Sequence, residues 1–153
     1  MRFSEMLDRK AEEIEQPPLL PPGIYTVQWT QPAEQDSIDS QKTGKTYDRL
    51  TFVGQIVSAV EVDEDELAEF GNVQGTSVRY NFLFSTAEED ENKAAAQLNR
   101  LKGFLQQLGV FEEGMTLSEG LANAVGASCL VEIAHRIDGD STYVEIKRTF
   151  ADE

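Results

Sequence analysis

The chain has 153 residues, a hydrophobic fraction of 40% and a formal net charge of −15 from 28 acids and 13 bases. That is a single domain's length with enough apolar residues for a core, and no apolar run of the ~18 residues needed to cross a membrane. The charge weighs against nucleic-acid binding, whose affinity comes mainly from phosphate neutralisation, and the lone Cys129 excludes an intramolecular disulfide and points to an intracellular setting.

Residues 2–15 can form a short amphipathic helix. Ser4 is placed as a cap, and Phe3, Met6, Leu7, Lys10, Ala11 and Ile14 trace one face. The segment is acidic, unlike a secretory signal. QPPLLPPG follows with four of the five prolines, a stiff extended connector. The expected division is therefore 1–18 as helix and linker, and 19–153 as the folded domain.

Ile24 to Thr30 reads as the first strand, with Tyr25, Val27 and Trp29 on one face. Gln31 to Thr46 is polar, a flexible loop ending in QKTGKT with Lys42 and Lys45. Tyr47 to Val60 is a long strand whose Leu50, Phe52 and Ile56 face one way and whose Tyr47, Arg49, Thr51 and Gln55 face the other. Gly54 suggests a bulge or bend within it. VDEDELAEFGNVQG is an acidic excursion with one or two helical turns.

TSVRYNFLFS is the third strand, with Val78, Tyr80, Phe82 and Phe84 on one face. The long helix pattern runs over 88–108, with Ala94, Leu98, Leu101, Leu105 and Leu108 on one stripe. Thr86 with Glu89 fits a capping box, and Gly109 is placed to end the helix in a left-handed cap. Thr116 with Glu119 is a second capping box, before a short helix through Leu117, Leu121 and Val125. Ala127 to Ile137 is a strand with Cys129, Val131 and Ile133 on one face. Asp138-Gly139-Asp140 turns the chain into a last strand, Ser141 to Phe150.

The class is mainly β with α (α+β). Three strands, a helix, a short helix and two strands match a five-stranded OB-fold barrel, closed or nearly so, with its main helix between strands 3 and 4.

No catalytic constellation is readable, so no enzyme is expected. His135 shares parity with Cys129, Val131 and Ile133 and reads as a histidine at the core edge. Cys129 and His135 alone do not supply a metal site, and Asp63, Asp65 and Glu66 lack the glycine and final glutamate of an EF-hand, so neither metal nor cofactor is expected. GKT at 44–46 lacks the upstream glycine of a P-loop.

The charge is unevenly spread. Six acids and no base lie between Glu61 and Glu69, and four acids occupy Glu88 to Glu91. Lys42, Lys45 and Arg49 cluster around one loop; Arg79, Arg136, Lys147 and Arg148 lie in strands. Single-strand binders combine a cationic groove with ring faces for stacking. Tyr47 with Arg49, and Tyr143 with Lys147, share outward parities. Trp29 reads equally as core or as a stacking ring. Candidate nucleic-acid contacts are thus Lys42, Lys45, Arg49, Arg79, Lys147 and Arg148 for phosphates, and Tyr47, Tyr143 and Trp29 for bases. The competing reading is an acidic adaptor or DNA mimic that meets a basic protein through 61–69 and 88–91.

LPPGIYTVQW, KTGKTYDRLTFVGQIV, RYNFLF, LNRLKGFLQQLGV, GASCLVEIAHR and YVEIKRTF together resemble the phage-encoded single-stranded-DNA-binding proteins, over about Leu20 to Phe150. The resemblance implies an OB-fold that coats single-stranded DNA during replication or recombination. It also implies a cytoplasmic setting in an infected bacterium, with phage or host replication and recombination proteins, or further copies of the chain, as partners, and no membrane association.

Overall fold

The computed structural model describes residues 2–8, 18–41, 44–85, 87 and 90–152. Lys42, Thr86, Glu88, Glu89 and the 9–15 part of the expected N-terminal helix lie outside them, as does the Thr86–Glu89 capping box. The described N-terminal turn is α1 (Phe3–Leu7), with Phe3 and Leu7 exposed.

The fold is mostly β with helices: one six-stranded antiparallel sheet. Its strands are β1 (Gly23–Trp29), β2 (Glu34–Asp39), β3 (Thr46–Val62), β4 (Ser77–Ser85), β5 (Ser128–Asp138) and β6 (Ser141–Phe150), with α2 (Glu64–Phe70) after β3, α3 (Glu91–Gln107) after β4 and α4 (Leu117–Asn123) before β5. At Tyr47 to Thr51, β3 pairs with β2 on one edge and β4 on the other; at Gly54 and Gln55 it pairs with β1 and β4. β1 and β2 therefore follow one another along the same edge of β3, interrupted at Pro32. β1 also pairs with β5, and β5 with β6.

Two expectations are corrected here. The polar 31–46 stretch contains β2, whose EQDSID sequence has no apolar alternation. Backbone pairing to β3 makes it a strand, and charge suits it to an edge. The sheet is also not closed: β4 and β6 approach one another, but no ladder joins them.

Apolar residues of β1, β3, β4 and β5 point to one core. Trp29 packs edge-on against Phe104 at 5.3 Å and Phe52 at 6.1 Å, and Phe104 also meets Phe52 at 4.9 Å and Tyr80 at 5.1 Å. Such edge-to-face pairs add to simple area burial. The helix stripe is partly revised. Leu101, Leu105 and Leu108 are buried as expected, but Leu98 is 44% exposed and Phe104 supplies the central contact.

Gly54 marks no bulge; the irregularities of β3 fall opposite Ile24/Tyr25 and Thr26/Val27. A Cβ on Gly54 would lie 2.8 Å from Trp29 Cε3, so glycine is what lets the indole lie against the strand. Gly109, at φ +75°, ends α3 in the left-handed conformation expected. Thr116 caps α4 by accepting from the Glu119 N–H, and Gly139 turns the β5–β6 hairpin at φ +62°.

The end of the proline-rich connector belongs to the body. Leu20 is buried; its carbonyl lies 2.8 Å from His135 Nε2, and the Pro21 carbonyl accepts from Tyr25 Oη at 2.7 Å. His135 is thus a clamp on the connector. None of the described helices is long and apolar enough to cross a membrane.

Candidate nucleic-acid interface

Strand pairing gathers part of the predicted set on one face. Ile38, Tyr47 and Ser85 form a row across β2, β3 and β4; Asp36, Arg49 and Leu83 form the next, then Glu34, Thr51 and Asn81, with Arg79 opposite Val53. Tyr47, Arg49 and Arg79 therefore share the outer face, as their parity predicts. The acids of β2 share it with them. Arg49 donates from both Nε and Nη2 to the Asp36 carboxylate, at 2.9 and 2.5 Å. That hydrogen bond holds Asp36 below, and Arg49 above, its ordinary pKa. Arg79 lies 3.6 Å from Glu34, a loose and exposed pair.

The expected separation of bases on strands from acids off them is not what forms. Lys147 and Arg148 both turn to Glu132, at 3.7 and 2.5 Å. The register shift between Glu132 and Ile133 inserts Lys147 as an extra residue, so Lys147 and Arg148 both stand opposite Glu132. Lys45 donates to Asp90 at 2.7 Å, and Ser85 Oγ donates to the same carboxylate at 2.7 Å. Lys45 first, then Ser85, holds the Asp90 carboxyl below its usual range. This group ties the ends of β3 and β4 to the start of α3. Trp29 is corrected: it is 1% exposed, with its Nε1 donating to Cys129 Sγ at 3.5 Å, so it offers no face to a base. Cys129 is fully buried, and burial pushes its thiol up to about 11. Asp63 caps α2, and no group of metal-ligating side chains exists among the described residues.

The gap between β4 and β6 changes the picture. It is a cleft of about 670 Å³ continuous with the outer face through Arg79 and Asn81. Arg79 borders it from β4, Arg100 from α3, and Arg136 and Tyr143 from the β5–β6 hairpin; among the described residues Glu145 is its one acidic lining residue. Tyr143 is 47% exposed, with the Arg136 guanidinium 5.0 Å from its ring centre. Arg136 also lies 3.3 Å from Glu145, both side chains being about half exposed.

Arg100 differs from every described cation of the predicted set. Its guanidinium sits 4.9 Å from the Tyr80 ring and 4.6 Å from the Phe82 ring, and donates to Tyr80 Oη at 2.8 Å. Its other partner is Gln97; it pairs with no described carboxylate. Sequence reading missed Arg100 because it lies in the helix, among residues judged only for their apolar stripe. The signal available was its position one residue before buried Leu101, on the flank of that stripe.

No protein-family model matches this chain, and no curated protein matches it in sequence.

Proposed function

We propose that the protein is a non-enzymatic single-stranded DNA binder of phage replication or recombination, built on a variant of the five-stranded OB-fold. β1 and β2 act in this reading as one interrupted first strand, and α3 is the helix between the third and fourth strands. The observation that carries the binding reading is the β4–β6 cleft, where, among the described residues, three guanidiniums meet one carboxylate beside a half-exposed tyrosine. Single-strand binders pair such a cationic track with ring stacking. Arg136 already stacks on Tyr143, so a base on the other ring face completes a sandwich. Arg100 is pre-oriented by two rings and gives up no carboxylate on meeting a phosphate. The pairs of Arg79 and Arg136 are exposed and therefore weak, so a phosphate can displace their acids. Tyr47 and Arg49 extend the track along the outer face of β3.

The net charge of −15 opposes approach of DNA, but exposed charges are screened within ~8 Å at physiological salt. Titration of fluorescent oligothymidine and of duplex of equal length, at two salt concentrations, tests the reading. Preference for the single strand supports it; no binding at low salt moves the assignment to the acidic adaptor. That second reading is favoured by one observation: Asp63, Glu64, Asp65, Glu66 and Glu69 are all exposed around α2. Charge reversal at Asp63, Asp65 and Glu66 would then abolish partner capture.

A further inference from the structure

A second surface, sharing no lining residue with the cleft, lies where β2 faces α3 and α4. It is a groove of about 460 Å³. Leu98 of α3 and Leu117 and Leu121 of α4 border it, Gln35 and Ser37 border it from β2, and Phe84 lies between. Among the described residues β2 pairs only with β3, so its other edge presents backbone N–H and C=O groups without a strand partner. Such an edge is a template for an added strand.

The charge around the edge identifies what can add. Glu34, Asp36 and Asp39 lie on β2 and Asp48 lines the groove, against Arg49 and Arg79, which pair with Asp36 and Glu34 in exposed contacts. Asp39 accepts from Thr46 Oγ1 and Asp48 from Ser37 Oγ, and neither pairs with a described cation. A second copy of the chain would set EQDSID against itself, acid facing acid. The acidic N-terminal segment meets the same objection. A basic strand meets none.

We propose that the β2 edge and this groove take an extended peptide of a partner protein in which apolar and basic side chains alternate. The period of a strand supplies the fit: every second side chain turns into the Leu98–Leu117–Leu121 groove, and the others stand beside Glu34 and Asp36. Backbone pairing with β2 holds the peptide, and the groove and carboxylates select it. The groove shares no lining residue with the DNA-binding cleft, and among the described residues the two surfaces meet only through the exposed Arg49–Asp36 and Arg79–Glu34 pairs.

The test uses the full chain and a fluorescein-labelled peptide of alternating leucine and lysine. Wild type should bind it. Leu98→Glu, a change at an already half-exposed position, should weaken binding about tenfold or more. N-methylation of alternate peptide amides, which removes the strand's donors, should abolish it, and a leucine–glutamate peptide should not bind. Oligothymidine affinity of Leu98→Glu should equal that of wild type, separating this site from the cleft. Failure of wild type to bind the peptide overturns the proposal. So does equal affinity of Leu98→Glu, binding that survives N-methylation, or equal binding of the glutamate peptide.

Discussion

The outer face of β2–β3–β4 and the β4–β6 cleft both carry arginines, but they hold them differently. On the face, Arg49 is forked onto Asp36 from the neighbouring strand. In the cleft, Arg100 lies against Tyr80 and Phe82 with a phenol oxygen as partner. A carboxylate fixes a guanidinium by neutralising it; rings fix it and leave its charge available. Which arginine can meet a phosphate is thus a property of cross-strand and helix neighbours, which formal charge does not report.

The largest effect should come from removing the support common to both regions. Phe104→Ala empties the centre of the ring cluster on which Tyr80, and so Arg100, rests. It should cost ~3–5 kcal/mol in chemical denaturation. Leu101→Ala should cost ~2–5 kcal/mol by the same route. An unchanged midpoint in either variant would show that α3 does not seal the core.

Tyr143→Ala should weaken oligothymidine binding by ~1–3 kcal/mol, equally at low and high salt, because stacking releases few counterions. A loss that grows as salt falls would mean that the ring acts only by placing Arg136.

Arg100→Ala against Arg49→Ala tests the comparison itself. Each phosphate contact adds ~0.7 to the slope of log affinity against log salt on single strands. Arg100→Ala should remove about one such contact, and Arg49→Ala should leave a shallower loss because its charge is already balanced. The reverse order would place the binding track on the β3 face.

The smallest effect concerns pH. Arg49 holds Asp36 below its ordinary value of 3.8, so the folded carboxyl releases its proton more readily than the unfolded one. The pair's contribution is therefore complete above that value and is lost as pH falls through the lower folded value. The stability difference between wild type and Asp36→Asn should be constant near neutrality and shrink below about pH 4. A difference that persists there would remove the ion pair as its cause.

Much of the fold was legible because apolar period is a local signal. β1, β3, β4, β5 and β6 were read from alternation, and Gly109, Thr116 and Gly139 from turn and cap chemistry. β2 was not legible: six polar residues carry no period, and only the waiting edge of β3 makes them a strand. Leu98 and Phe104 were exchanged in the stripe because a helix face predicts direction but not depth of contact. Of the predicted contacts, Arg79 and Tyr143 border the cleft, Tyr47 and Arg49 lie on the adjoining face, and Trp29 lies in the core. Lys45, Lys147 and Arg148 are committed to acids elsewhere, and Lys42 falls outside the described residues.

By itself, then, the sequence determined the class of fold, the strand faces, the end of α3 at Gly109 and the start of α4 at Thr116, since each depends on residues a few positions apart. The tertiary structure alone decided that the sheet stays open between β4 and β6, that Arg100 joins Arg79, Arg136 and Tyr143 there, and that Asp36, Asp90 and Glu132 occupy Arg49, Lys45, Lys147 and Arg148. Those outcomes depend on pairings between residues far apart in the chain, and on a choice of partner that Coulomb attraction makes only once the strands have set their neighbours.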